Sequence, residues 1–139
     1  MAHEWDKLQE VIIGSPKLLT VPGNCPTIKF GFDYQSGNEK WIEKNGGEYI
    51  RLVDPEFFKQ VVKQSDHLAD ILKSRGIIVH RHDPDLLTKA ELAFMSDIEK
   101  GNDFLFPRDP VIVIGSHVIE AALKLPMRTK EKFIIRNIL

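Results

Sequence analysis

Residues 54–80 read DPEFFKQVVKQSDHLADILKSRGIIVH and carry the clearest structural signal in the chain. Asp54 is a good N-cap, and Pro55 suits the first position of a helix. Small or apolar residues then recur at helical spacing: Phe58, Val61, Val62, Ser65, Leu68, Ala69 and Leu72. Gly76 ends this run, and an apolar strand at residues 77–80 follows at once. The stretch predicts an amphipathic helix that leads into a buried strand, which is half of an α/β layered unit.

Shorter elements are predicted on both sides of this helix. Residues 8–13, LQEVII, predict a short buried strand. Residues 14–47 hold six of the nine glycines, so we expect a long loop with one short helix hidden at residues 38–46. The predicted elements favour an α/β fold.

Two further elements are predicted in the second half of the chain. Thr88 and Glu91 have the spacing of a capping box. We expect a short helix after them that ends at Gly101 and whose apolar face is formed by Leu92, Met95 and Ile98. Residues 111–114 and 117–121 are apolar and flank a Gly-Ser pair, which predicts a β-hairpin with a two-residue turn.

Composition limits the class of protein. At 139 residues the chain fits one domain, residues 1–139, and its 42% hydrophobic and 28% charged residues are ordinary for a soluble protein. A formal charge of −1 makes nucleic acid a poor candidate partner. No apolar run reaches the length of a membrane helix, and the start is unlike a signal peptide. With Cys25 as its single cysteine, we expect a cytoplasmic protein without a membrane partner.

The strongest candidate for chemistry is the stretch FLFPRDP at residues 104–110. Asp109 stands between two prolines at the entrance of a predicted strand, where the stiff backbone could present its carboxylate to a cleft. A carboxylate beside aromatic rings suits a guanidinium or ammonium ligand. The alternative is structural, because Asp109 could pair with Arg108 or cap a local turn.

Four motifs in order give the sequence a family resemblance. They are EWDKLQEVIIG at residues 4–14, LKSRGIIV at 72–79, PRDPVIVIGSHVIEA at 107–121, and Met127-Arg128. Together they resemble the N-terminal portion of the glycine and inosamine-phosphate amidinotransferases, which are guanidino-group-modifying enzymes. The resemblance implies an α/β fold of the pentein (α/β propeller) type, here an incomplete domain of about two of its five ββαβ-type units.

The resemblance also implies a reaction. In this family a cysteine thiolate attacks the guanidino carbon of arginine, a histidine moves protons, and the amidino group passes to an acceptor amine without a metal or other cofactor. The family's cysteine, histidine and second carboxylate lie in a later part of a longer chain. Cys25 does not match the nucleophile, so we expect a truncated amidinotransferase-like protein with no catalytic residue and no activity alone.

Three residues carry over as a substrate-binding set. Asp109 matches the carboxylate that holds the substrate guanidinium, Arg128 matches an arginine that binds a substrate carboxylate, and Phe106 is placed to pack on the guanidinium face. The resemblance thus implies arginine or another guanidino compound as ligand. The family pattern has an asparagine six residues before the aspartate, where this chain has Asp103, with Asn102 one place earlier.

Other titratable clusters favour structural roles. Two imidazoles and nearby carboxylates could bind zinc, but a solvated strand end is the simpler interpretation of this set: His80, His82, Asp83 and Asp85. His67 and His117 are expected to be ordinary surface residues. A basic set predicts the polar face of a helix, and an anionic acceptor is the alternative: Lys124, Arg128, Lys130, Lys132 and Arg136.

The exposed apolar surface expected of a partial fold predicts a partner. Sheet edges without neighbours and the apolar residues at 133–139 require cover, which predicts a homo-oligomer or a complementing chain. A non-catalytic binding or assembly module that retains the guanidinium-binding carboxylate is the alternative function. A third possibility is an α/β adaptor without a small-molecule site.

Overall fold

The computed structural model describes residues 6–23, 39–83, 87–96, 106–123 and 128–139. Within these stretches the elements follow one another in this order: β1 Glu10–Ile13, a 3₁₀ turn Pro16–Leu18, α1 Glu39–Asn45, α2 Ile50–Val53, α3 Pro55–Ser74, β2 Ile78–Arg81, α4 Lys89–Ser96, β3 Val111–Ile114, β4 His117–Glu120 and α5 Glu131–Arg136. The strands form two small sheets, β1 with β2 and β3 with β4. The fold is therefore mixed α/β, as the sequence predicts.

Helix α3 and strand β2 begin and end close to the positions that the sequence predicts. The backbone amide of Phe57 donates a 3.0 Å hydrogen bond to Asp54 Oδ1, which confirms the N-cap. Gly76 turns the chain with φ of 75°, in the left-handed region that favours glycine. β2 then pairs in parallel with β1, with Glu10 opposite Ile78. Parallel strands need a crossover connection, and α3 forms its main part.

Burial in this unit is lower than the sequence predicts. Ala69 lies in the interior, but Leu68, one helical step of 100° away, is 49% exposed. Ile78 on β2 is 59% exposed. The prediction of a buried strand at residues 77–80 is therefore wrong at Ile78, because the sheet has two strands in the described residues and leaves this side chain uncovered.

The loop after β1 is fastened to the start of α2. The amide of Val21 donates to the Glu48 carbonyl at 2.8 Å, and the amide of Gly47 donates to the Val21 carbonyl at 2.8 Å. Gly47 has φ of 85°, which its missing side chain permits. The short helix predicted at residues 38–46 is confirmed as α1, and Asn38 at the start of that range lies outside the described residues.

The described core joins the two halves of the chain. Leu18 and Ile134 form its centre, and three partly buried residues pack against them: Tyr49, Leu87 and Leu92. Ile135 is also buried, whereas Leu139 is 65% exposed. The expectation that the last apolar residues need cover from elsewhere is therefore wrong for Ile134 and Ile135, because α5 packs them against this same chain.

Lys130 departs from the predicted polar face. It is 6% exposed, its Nζ donates to the Phe94 carbonyl, and that nitrogen lies 4.0 Å from the centroid of the Phe94 ring. A long aliphatic stem lets a lysine enter an interior when its ammonium finds an acceptor and a ring face. The prediction that the basic residues form the polar face of a helix is therefore wrong at Lys130.

The capping box and the hairpin are both confirmed. The amide of Thr88 donates to Glu91 Oε2 at 2.8 Å, and the amide of Glu91 donates to Thr88 Oγ1 at 3.2 Å. Gly115 takes φ of 59° at the turn between β3 and β4. The predicted helix end at Gly101 and the residue Ile98 lie outside the described residues.

Candidate functional site

The turn before β3 sets the position of Asp109. Pro107 and Pro110 fix two backbone torsions, and the amide of Asp109 donates to the Phe106 carbonyl at 3.2 Å. Pro110 is buried and anchors the turn, whereas the Asp109 side chain is 46% exposed. The turn therefore holds the carboxylate at the surface with the Phe106 ring nearby.

Arg128 brings the predicted site residues together. Its Nη1 donates to Asp109 Oδ2 at 2.7 Å, and its Cζ lies 5.7 Å from the centroid of the Phe106 ring. On the opposite edge of the guanidinium, Nε donates to Glu131 Oε1 at 2.9 Å and Nη2 donates to Glu131 Oε2 at 2.8 Å. One guanidinium thus contacts two carboxylates and one aromatic ring, and it belongs to the chain itself.

The three charged side chains of the cluster differ sharply in burial. Arg128 is 13% exposed and Glu131 only 2%, in contrast to the half-exposed Asp109. The buried bidentate pair is therefore the inner part of the cluster, and the Asp109 pair is its outer part. The Asp109 carboxylate accepts a hydrogen bond from Arg128, 19 residues further along the chain.

A small cavity lies behind this cluster. Its volume is about 10 Å³, roughly the room that one water molecule needs. Its wall combines β1, the turn at residues 106–110 and α5, and includes Ile13, His82, Phe106 and Glu131. The cavity is therefore lined on one side by the first sheet and on the other by residues of the candidate site.

His82 is buried at 9% exposure, so the predicted solvated strand end is wrong at this position. Burial lowers the pKa of His82 from its ordinary value of 6.5, while the charge of Asp83 raises the pKa and the charge of Lys17 lowers it. The nearby His80 Nε2 contacts Glu10 Oε1. The contact of His80 and the burial of His82 are typical of side chains that stabilise β2 and the residue that follows it.

The described residues hold no group of three or more His, Cys, Asp or Glu side chains that could bind a metal ion. Asp85 and Cys25 lie outside the described residues, as do Asn102 and Asp103. Across the same described part of the chain, no helix combines the length and the apolar character needed to cross a bilayer.

Comparison with known proteins gives one consistent result. No protein-family model matches the sequence. Over 135 residues the chain is 31% identical to the mitochondrial glycine amidinotransferase of Gallus gallus, and over 134 residues it is 28% identical to that of Xenopus laevis. Each match covers 94% of this chain. The chain is amidinotransferase-like.

A bacterial relative extends the match. The amidinotransferase-like chain is 27% identical over 138 residues to a Streptomyces griseus protein named as an inosamine-phosphate amidinotransferase, and this match covers 99% of the chain. The chain spans 29% of the length of the two animal relatives and 38% of the bacterial one. The animal relatives are named as mitochondrial, so the cytoplasmic compartment stays a prediction.

Glu131 is the site residue that the sequence analysis of this amidinotransferase-like chain missed. Its separation of three residues from Arg128 is a signal for a helical ion pair, and an acidic residue in the first turn of a helix is ordinary. Neither signal predicts burial to 2% exposure. That burial depends on how α5 packs, which no local pattern encodes.

Proposed function

We propose that this amidinotransferase-like chain forms the guanidinium-holding part of an amidinotransferase site, within a single partial pentein domain of about two units. Asp109 binds the guanidinium of arginine or a related compound, Phe106 covers its face, and Arg128 serves the substrate carboxylate. The observation that supports this most directly is that Asp109 and Phe106 already contact a guanidinium, that of Arg128.

The chemistry of Asp109 and Phe106 suits a guanidinium ligand. A carboxylate accepts parallel hydrogen bonds from a planar guanidinium, and an aromatic face attracts its charge. Asp109 and Phe106 are both about half exposed, at 46% and 54%, so a dissolved ligand can reach them.

The proposed role stops short of catalysis. In the family that the chain resembles, amidino transfer requires a cysteine nucleophile and a histidine that have no counterpart in these 139 residues. A guanidinium that is bound without a thiolate nucleophile nearby is oriented but cannot form the covalent intermediate. We therefore expect the chain alone to bind arginine and to release no ornithine.

The binding experiment compares two carboxylate variants by calorimetric titration with arginine. Asp109→Asn should weaken arginine binding about two- to fivefold, the range that corresponds to an exposed ion pair. Glu120→Gln is the matched control, because Glu120 is also exposed and also pairs with an arginine, Arg136. Equal affinity in the two variants contradicts the proposed site, and ornithine released by the purified chain contradicts the proposed inactivity.

An assembly role is the second candidate, and the β3–β4 hairpin favours it. Four large apolar side chains on this hairpin are 48–65% exposed: Ile112, Val113, Ile114 and Ile119. Within the described residues each of these two strands pairs only with the other, so each presents an outer edge that can pair with another chain. We propose that a second copy of this chain, or a complementing chain, covers the hairpin.

Sedimentation separates these occupants. Self-association at tens of micromolar supports the second copy. A monomer that associates when mixed with a polypeptide equivalent to the rest of an amidinotransferase supports the complementing chain. A monomer under both conditions contradicts the assembly role and leaves the guanidinium site to be judged by the titration.

A further inference from the structure

We infer that Arg128 is an internal occupant of the Asp109 site, so that a ligand guanidinium binds Asp109 only by displacing Arg128 Nη1. The inference rests on the guanidinium site proposed at Asp109 and Phe106, and it gives Arg128 a role different from the substrate-carboxylate contact proposed above. In this view the chain restrains ligand binding at Asp109 through one of its own side chains, Arg128.

The contacts of Arg128 divide into a strong inner part and a weak outer part. Nε and Nη2 bind the two oxygens of Glu131, which is 2% exposed. Nη1 binds Asp109, which is 46% exposed. Parallel hydrogen bonds to a buried carboxylate are strong, whereas an exposed ion pair contributes little because water competes with it. Arg128 can therefore leave Asp109 while it stays bound to Glu131.

The contact between Arg128 and the Phe106 ring is weaker than the pair with Glu131. Arg128 Cζ lies 5.7 Å from the centroid of the Phe106 ring, near the outer limit of about 6 Å for cation–π attraction. Phe106 is 54% exposed, so a dissolved cation can reach it. A ligand guanidinium that stacks on Phe106 and binds Asp109 replaces these two contacts of Arg128 and leaves its pair with Glu131 intact.

This role differs from the binding of a substrate carboxylate by Arg128, and the two can be separated by ligand. Methylguanidinium has the guanidinium of arginine and no carboxylate. If Arg128 competes with the ligand, its removal strengthens the binding of both compounds. If Arg128 instead binds the substrate carboxylate, its removal weakens the binding of arginine alone.

The experiment titrates methylguanidinium and arginine into the wild-type chain and two variants. Arg128→Lys keeps a cation beside Glu131 but lacks the fork that reaches both carboxylates. The double variant Arg128→Gln with Glu131→Gln removes the buried pair as a unit, which avoids an unpaired buried charge. We expect both variants to bind methylguanidinium about two- to fivefold tighter than wild type, the range that corresponds to an exposed ion pair.

The outcomes are distinct. Unchanged methylguanidinium binding in a folded variant contradicts the inference but leaves the guanidinium site intact. Weaker binding of arginine with unchanged methylguanidinium assigns Arg128 to the substrate carboxylate and also contradicts it. If neither compound binds to any form of the chain, the proposed guanidinium site fails together with the inference.

A second measurement does not depend on the variants folding. Nitrogen-15 spectra of the arginine side chains in the wild-type chain report the Arg128 hydrogen bonds directly. Saturating methylguanidinium should shift the Arg128 Nη1 resonance and leave Nε, which binds Glu131, nearly unchanged. An Nη1 resonance that does not move while the ligand binds overturns the displacement.

Discussion

The Arg128 guanidinium and the Glu131 carboxylate form two parallel hydrogen bonds of 2.9 and 2.8 Å, with Glu131 almost fully buried at the start of α5. This pair connects the candidate site to the core, because the next turn of α5 places Ile134 against Leu18. Glu131 therefore supports the fold, whereas Asp109 is the outer, half-exposed partner of Arg128.

The two carboxylates should differ in their effect on stability. Glu131→Ala removes the buried carboxylate that binds Arg128 through two hydrogen bonds, so we expect it to lower the free energy of unfolding by about 3–5 kcal/mol. Asp109→Asn removes an exposed pair and should lower it by at most about 1 kcal/mol. Urea unfolding followed by circular dichroism measures both. Similar losses in the two variants would contradict the division into inner and outer carboxylates.

His82 should make stability depend on pH. Burial lowers its pKa in the folded chain below the unfolded value of 6.5. Between the two pKa values the unfolded state holds more protons, so stability rises with pH and is lost progressively as the pH falls below about 6.5. His82→Gln should flatten this part of the profile.

The control for this measurement is His67→Gln, because His67 is an exposed histidine on α3. Thermal unfolding at a series of pH values between 5 and 8 provides the profile, with about 6.5 as the point below which the variants should diverge. If His82→Gln keeps the slope of the wild type, or if His67→Gln loses it, another group causes the dependence.

The N-cap of α3 should contribute measurably to stability. Asp54→Ala removes the acceptor of the Phe57 amide, which should lower the free energy of unfolding by about 1 kcal/mol. Asp54→Asn retains a capping oxygen and should recover most of this loss. Denaturant titration of the wild type and the two variants measures these differences. An alanine variant as stable as the asparagine variant would show that the cap does not stabilise the chain.

The hairpin should control self-association. Ile112 and Ile119 are opposite one another in the β3–β4 register and are 53% and 48% exposed. Replacing both by threonine keeps β-branched side chains but removes apolar surface, so we expect a weaker dimer with little change in unfolding. Leu52→Thr is the control, since Leu52 is 67% exposed on α2. Sedimentation that changes equally in both proteins would count against the hairpin.

Local signals explain the elements that the sequence predicts well. The Asp54 cap, the glycine with positive φ at position 76 and the turn at Gly115 each act within a few residues, so they can be recognised without knowledge of the tertiary structure. The capping box of Thr88 and Glu91 belongs to the same class. For these elements the sequence predicts both type and position.

The candidate site is harder to predict because its contacts cross the chain. The resemblance nominates Asp109, Arg128 and Phe106, but nothing in their spacing indicates that Arg128 binds Asp109 across 19 residues. The burial of Glu131 and Lys130 follows from the packing of α5, which is a tertiary property. Residue type alone predicts both as solvent-exposed.

The most direct test of the proposed guanidinium site is an arginine titration of the nitrogen-15-labelled chain, followed through its backbone amide signals. The proposed function predicts saturable shifts centred on Phe106, Asp109 and Arg128 that need more arginine to saturate in Asp109→Asn and keep the wild-type affinity in Glu120→Gln. Absence of saturable shifts, or wild-type affinity in Asp109→Asn, would contradict the assignment of Asp109 as the carboxylate that holds the guanidinium.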